Sequence, residues 1–235
     1  GYLALFLGFG VKAALAPFHG WLPSAMVAPT PVSALLHAVA VVKSGIFALL
    51  RITYYLFGAA AVGLLGAADF LFPVILLTIV MGSFLAIHQD HLKKRLAYST
   101  ISQLGYILLG IALLNPDALV GALLHLVNHA VIKITLFFVA GAIYVQTGFK
   151  YVHQLRGIGK RMRLTMVCFG LSVVSLIGLP PTNGFVSKWF LALGALIEHN
   201  VLYAVILLLS GFLTAAYLLP PAIAAFFSKG DNAEL

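Results

Sequence analysis

The sequence predicts an all-α integral membrane protein, a polytopic helix bundle with two broken helices, and three observations carry that prediction. Hydrophobic residues make up 62% of the chain and charged residues 9%, against about 25% charge in a soluble domain. Mean hydropathy is +1.08. Several apolar runs reach the ~18 residues that read as a membrane span. Water would not dissolve the flanks of so many such helices, which leaves a lipid bilayer as their surround.

The runs divide residues 1–235, read as a single transmembrane domain, into seven units. The first runs from Gly1 to near Ala28 and contains Pro17 and Pro23. The second spans Pro31 to Phe57, the third Asp69 to His88, the fourth Leu96 to Leu114 and the fifth Asp117 to Gln146. The sixth begins near Arg163, is interrupted by GLPPTNGF (Gly178 to Phe185), resumes as VSKWFLALGALI and ends near Glu198. The seventh, Val201 to Phe227, carries Pro220 and Pro221, which are expected to interrupt its last third. Gly1 opens in mid-run, with no start Met and no signal-peptide pattern, so the chain reads as a fragment whose N-terminal part is missing.

The connections give a topology. His88 to Arg95 carries Lys93, Lys94 and Arg95, and Gly148 to Arg163 carries Lys150, Arg156, Lys160, Arg161 and Arg163. Two helices separate these loops, so they share a face, and Lys229 after the last run joins them. The opposite connections, Gly58 to Ala68, Asn115 to Asp117 and Glu198 to Asn200, hold no lysine or arginine. The positive-inside rule then puts basic loops 88–95 and 148–163 in the cytoplasm of a multi-pass cell-membrane protein. Phe149 to Arg163 reads as an interfacial amphipathic stretch. The net charge of +8 comes from these loops and from single lysines inside helices, which argues against nucleic acid as a partner. The lone cysteine, Cys168, excludes an internal disulfide and an all-cysteine metal or iron–sulfur site. No metal and no cofactor are expected.

All six acidic residues, Asp69, Asp90, Asp117, Glu198, Asp231 and Glu234, fall at helix ends, in loops or in the tail. Four lysines do not: Lys12, Lys43, Lys133 and Lys188 each sit inside an apolar run. A charged lysine at the bilayer centre costs about 2.5–3.5 kcal/mol even on the lenient insertion scale, so such residues face a protein interior or a watery cavity and mark ion pathways. The alternative is snorkelling to the interface. It suits Arg51, near its helix end; it suits Lys12 and Lys188 less, and the mid-span Lys43 and Lys133 least. A lysine taken out of water exchanges its proton more readily than one in solution, which is what a proton relay needs. The acid to pair with it would come from a neighbouring subunit or from the missing part of the chain.

The fifth unit adds a row. His125, His129 and Lys133 are spaced i, i+4, i+8, so they drift by only about 80° and form one stripe about 12 Å long. Asn128 lies beside them. Histidine passes a proton between its two nitrogens near neutral pH, whereas lysine is a poor metal ligand, so the row suits protons better than a metal. His37, six residues before Lys43, is a further relay candidate. The two helix breaks accompany the outer lysines: Pro17 and Pro23 follow Lys12, and Pro180, Pro181 and Gly184 precede Lys188. Broken helices beside intramembrane ionisable residues are typical of transporter sites.

These residues carry a resemblance. GFGVKAALAPFHGWLPSAMVAPTPVSALLHAVAVVKSGIFALLR resembles the signature of the antiporter-like proton-translocating subunits. These are the L, M and N subunits of NADH–quinone oxidoreductase (complex I), the large subunits of Mrp-type Na⁺/H⁺ antiporters and their counterparts in membrane-bound hydrogenases. KKRLAYSTISQLGYI, LLHLVNHAVIKITLFFVAGAI and GLPPTNGFVSKWFL match the same family. The resemblance implies an inverted-repeat fold of which this chain is helices seven to thirteen. It implies that Lys12 is the lysine of the broken seventh helix and Lys43 the bridging lysine of the eighth, which also carries His37. His125, His129 and Lys133 would form the connecting polar row, and Lys188 would be the terminal ionisable residue of the broken twelfth helix. The family's paired glutamate would lie in the missing part, and the partners would be other membrane subunits of a multisubunit complex.

The leading reading is therefore translocation of protons, with Na⁺ as a second candidate ion, along Lys12, His37, Lys43, His125, His129, Lys133 and Lys188. A secondary transporter for a small organic solute is the alternative; it would gather these residues around one pocket rather than along a line. A quinone-reactive enzyme subunit would need a quinone head pocket and cofactor ligands that the sequence does not offer.

Overall fold

A computed structural model describes residues 1–228, Ala68 for its backbone only. Lys229, Asp231 and Glu234, assigned above to the basic face or the tail, lie outside the described residues. Among those described there is one isolated antiparallel bridge, His91 to Tyr151, and every named element is a helix or helical turn.

Helix α1 (Tyr2–Lys12) gives way to an unwound stretch that leads into the short α2 (Trp21–Ser24) and a 3-10 turn (Ala25–Val27). The second run is one rod, Thr30–Phe57, assembled from α3 (Thr30–Ala34), a π turn (Leu35–Val39), α4 (Val41–Arg51) and a second π turn (Ile52–Phe57). A short α5 (Ala59–Leu64) occupies the first lysine-free connection. Then follow α6 (Ala67–Ile87), α7 (Leu92–Ala112), α8 (Pro116–Thr147), two 3-10 turns (Val152–Leu155 and Ile158–Lys160), α9 (Arg163–Ile177), α10 (Asn183–Ile197) and α11 (Val201–Phe227). Thr30–Phe57, Asp69–Ile87, Pro116–Thr147 and Val201–Phe227 are each long and apolar enough to cross a membrane.

Helix α8 is the axis of the site. Its 32 residues extend about 48 Å. The Asn115 side chain caps its start, accepting from the Ala118 N–H at 2.8 Å, Pro116 sits where no backbone donor is needed, and Gly148 closes it at a φ of 73°. Helices α10 and α9 run along it end to end. Ser187 of α10 meets His125, and Asn115 donates to the Gly194 carbonyl. Met166 and Phe169 of α9 pack in one buried cluster with Leu136 and Phe137 in the second half of α8. The break between α9 and α10 therefore lies beside the middle of α8. A second buried cluster joins α1, α4, α6 and α7 through Phe6, Ile46, Ile75 and Leu104.

Several expectations need correction. Helix α7 starts at Leu92, so Lys93, Lys94 and Arg95 occupy its first turn rather than a loop. The stretch after α8, expected as an interfacial amphipathic stretch or a loop, holds two 3-10 turns. It bonds to the other basic segment: Leu92 N–H donates to the Lys150 carbonyl and Val152 N–H to the Asp90 carbonyl. The two basic segments thus do share a face. Pro23 lies inside α2 and Gly184 in the first turn of α10, so neither is itself a break. Finally, α11 runs unbroken through Pro220 and Pro221. Pro221 cannot donate to the Tyr217 carbonyl one turn back, but Arg95 does so instead, Nη1 to O at 2.7 Å.

Candidate functional site

The stripe on α8 is buried as one unit. His125, His129 and Lys133 are almost completely enclosed, Lys133 at 0% exposure. Because residues four apart stack on one helix face, all three follow the side of α8 that packs on α7. His125 is held at both ends: Nε2 lies 3.0 Å from Gln103 Oε1 on α7 and Nδ1 2.9 Å from Ser187 Oγ on α10. The Ser187 hydroxyl also donates to the Gly184 carbonyl at 3.1 Å, so the imidazole is held between an amide and a hydroxyl that is itself anchored to the backbone. Lys133 Nζ donates to the Leu96 carbonyl at 2.9 Å and to the Ser99 hydroxyl, both on α7.

Two further lysines reach this stripe from other helices. Lys43 Nζ crosses from α4 to the Leu126 carbonyl of α8 at 2.7 Å. Lys188 Nζ donates at 2.8 Å to both the Leu176 and Ile177 carbonyls and sits 5.1 Å over the Tyr106 ring. Those carbonyls end α9 at the break, and a cation at a helix C-terminus also meets the negative end of its dipole. None of the three amines is within ion-pair distance of a carboxylate among the described residues; neutral oxygens alone hold them.

His37 and His129 are different. Both are buried, and no ring nitrogen of either finds a protein partner among the described residues. His37 packs on Phe137 with ring centres 5.0 Å apart, and His129 stacks on His125 at 6.0 Å. His129 is the hub, within electrostatic reach of Lys43, Lys133, His125 and His37. A buried polar atom without a partner costs about 1–3 kcal/mol, and sites of this kind are where internal water is bound in proteins.

Six of the seven expected residues are thus brought together: His37, Lys43, His125, His129, Lys133 and Lys188. Lys12 is not. It ends α1 with its side chain exposed, although its backbone packs against Gly45, two residues from Lys43. The first break is served instead by neutral groups: Ala16 N–H donates to Thr78 Oγ1 and Trp21 Nε1 to the Val11 carbonyl, both at 3.0 Å. Sequence reasoning overlooked Ser99, Gln103, Tyr106 and Ser187, the groups that hold the row from α7 and α10. A signal was there: Ser99, Ser102, Gln103 and Tyr106 fall at i, i+3, i+4 and i+7, a polar stripe on one face of an apolar helix.

The chain and its fold are similar to those of known proteins. Residues 1–214 match the family model described as NADH:quinone oxidoreductase/Mrp antiporter, TM. A subunit N of NADH-quinone oxidoreductase from Desulforudis audaxviator is 44% identical over 97% of this chain and 44% of its own length. The Mrp complex from Dietzia sp. contains a chain that superposes with a TM-score of 0.86 at 31% identity, over 96% of this chain and 41% of that one. A chain of the membrane-bound sulfane sulfur reductase, an archaeal respiratory complex, gives 0.88 at 29% identity, over 98% and 47%. The chain spans less than half the length of these relatives. A polytopic membrane fold, a matching family model and near-complete coverage of this chain by each relative lead to one conclusion: the chain belongs to the NADH:quinone oxidoreductase/Mrp antiporter transmembrane family.

Proposed function

We propose that the chain carries protons, with Na⁺ as a second candidate ion, across the membrane as part of an antiporter-like subunit in a multisubunit complex. The observation that supports this reading is the burial of five titratable groups, His125, His129, Lys43, His37 and Lys133, around α8 beside the half-buried Lys188, with His125 and His129 stacked on each other. A proton on Lys188 would lie over Tyr106 and within electrostatic range of His125; His125 is one helical turn from His129, which lies within electrostatic range of Lys43 and Lys133. Water bound at His129 and His37 would complete the transfer, because their nitrogens have no protein partner. Lys12, on the chain's surface beside Lys43, would take its acidic partner from another segment or subunit. Neighbouring membrane subunits would supply the driving force by shifting charge at such a pair. The basic segments 88–95 and 148–163 would face the cytoplasm.

A solute transporter would place these residues around a cavity. The groups instead follow one another through packed helices, and a cavity of about 750 Å³ between Met26, Lys93, Phe138, Tyr144 and Lys150 takes in none of them. The test is proton uptake into proteoliposomes containing the native complex with full-length subunit, wild type against Lys43→Ala and Lys133→Ala. Loss of uptake with normal assembly is the expected result. Uptake at the wild-type rate in both variants would reduce these lysines to structural charges and bring the solute reading forward.

A further inference from the structure

A second polar feature lies where α7 meets α6 and α11, and the relay described above does not use it. Ser83 of α6, Ser102 of α7 and Ser210 of α11 form a closed ring of hydroxyls, with Oγ separations of 2.8, 2.8 and 3.0 Å. All three are buried. In such a ring each hydroxyl donates to one neighbour and accepts from the other, and the direction of donation can reverse without loss of a hydrogen bond.

The ring is connected at both ends. Towards Lys133, Thr214 sits one turn along α11, its Oγ1 donating to the Ser210 carbonyl at 2.8 Å and accepting from the Tyr217 hydroxyl at 3.2 Å. The Tyr217 hydroxyl in turn neighbours the Ser99 hydroxyl, which Lys133 contacts. Towards Lys188, the Tyr106 hydroxyl lies beside Ser210 and Gln103 and donates to the Leu207 carbonyl at 3.3 Å. Gln103 bonds His125, and Tyr106 lies under Lys188. Thr214 and Ser210 are i+4 and i on α11 and are joined here through the Ser210 carbonyl, so the branch requires the Thr214 hydroxyl to turn toward the Ser210 side chain.

The direct route along α8 is itself incompletely joined. His129, between His125 and Lys133, has no protein partner at either nitrogen and meets His125 only by ring stacking at 6.0 Å. We infer that Tyr217, Thr214, the Ser83–Ser102–Ser210 ring and Tyr106 form a hydroxyl branch that carries protons between Lys133 and the His125–Lys188 end, in parallel with His129. In each step a hydroxyl accepts a proton on its lone pair and releases its own to the next acceptor, and at the far end a water passes it from the Tyr106 hydroxyl to the neutral Lys188 amine, so the hydroxyls are left neutral with every hydrogen bond reversed. Rotation of the hydroxyls resets it.

This inference rests on the relay proposed above, and the experiment separates the two. Proton uptake is followed in proteoliposomes of the native complex carrying Tyr217→Phe, Ser210→Ala, Tyr54→Phe or Lys43→Ala in the full-length subunit. Tyr217→Phe removes one oxygen and keeps the ring packing; Ser210→Ala opens the hydroxyl ring by an independent change. Each is expected to slow uptake roughly tenfold, a small share of what one proton-transfer group contributes, with assembly intact. Tyr54, whose hydroxyl bonds the Ile111 carbonyl away from the branch, is expected to give the wild-type rate as phenylalanine. Wild-type uptake in both Tyr217→Phe and Ser210→Ala, while Lys43→Ala abolishes it, would overturn the branch and leave the relay standing. Wild-type uptake in Lys43→Ala as well would remove the relay, and the branch with it.

Discussion

Arg95 should be one of the costliest side chains to lose outside the lysine–histidine row. Its Nε donates to the Gln89 carbonyl and its Nη1 to the Tyr217 carbonyl, both at 2.7 Å, while Nη2 reaches the Ile87 carbonyl at 3.5 Å. One half-buried guanidinium thus ties the end of α6 to the carbonyl that Pro221 leaves free in α11. A hydrogen bond from a charged donor contributes about 1.5–3 kcal/mol. The two short bonds would sum to roughly 3–6 kcal/mol, with little from the third at the limit of hydrogen-bond length. Water reaches part of the site in a variant, and the bonds share one donor group, so Arg95→Leu should destabilise by about 2–4 kcal/mol. Arg95→Lys restores the charge as a single point donor and should recover about half of that loss. The assay is thermal retention of the subunit in the detergent-solubilised complex, with amide exchange across 213–222 as the local readout. The order arginine, lysine, leucine is expected in both. A leucine variant within about 1 kcal/mol of wild type, the range of an ordinary substitution, would refute the claim that Arg95 stands in for the donor missing at Pro221.

Two other expectations follow from packing and from the basic face. A Cβ on Gly184 would lie 1.7 Å from the Ser175 carbonyl oxygen, so Gly184→Ala must push α10 off α9. It should cost more than about 3 kcal/mol and loosen the Lys188 contacts; normal assembly with unaltered exchange in 174–188 would count against the close approach. His91 begins α7 in the basic segment, where burial, then Lys94, Lys93 and Lys150, hold its protonation below the usual histidine value. The unfolded chain therefore takes up the proton first, and the stability that neutral His91 allows is present above about pH 6.5 and lost as pH falls further. Thermal midpoints of wild type and His91→Asn should converge on acidification, and parallel curves would contradict this.

The lysines in apolar runs and the i, i+4, i+8 stripe on α8 were legible in the sequence because both rest on local facts: hydropathy and helix period. The break after Ile177 was legible from Pro180 and Pro181 for the same reason. The partners of the row were not, because Gln103 and Ser99 become meaningful only when α7 is known to face α8. Lys12 shows the converse limit, since an apolar run does not reveal which of its faces is covered by other helices. The Pro220–Pro221 break failed as an expectation because the donor that rescues the helix lies 122 residues away in Arg95. Proline disrupts a helix by leaving a carbonyl unserved, and a distant side chain can serve it.

The π turn at Leu35–Val39 has a consequence for what the chain can tolerate in length. The wide turn, marked by the Ala40 N–H bonding back five residues to the Leu35 carbonyl, accommodates one residue more than an α turn would. Removing any one residue there would let the segment close as ordinary α-helix. The helix on either side would keep its phase, because the wide turn had absorbed the extra residue, and only residues inside the turn, His37 among them, would change direction relative to Lys43. His37, now at 0% exposure against Phe137, would turn from its present place even though no side chain in the row had changed. At this place the number of residues is fixed more tightly than their identities: substitutions among Leu35, Leu36 and Val39 are a matter of fit, while a single deletion is a change of direction.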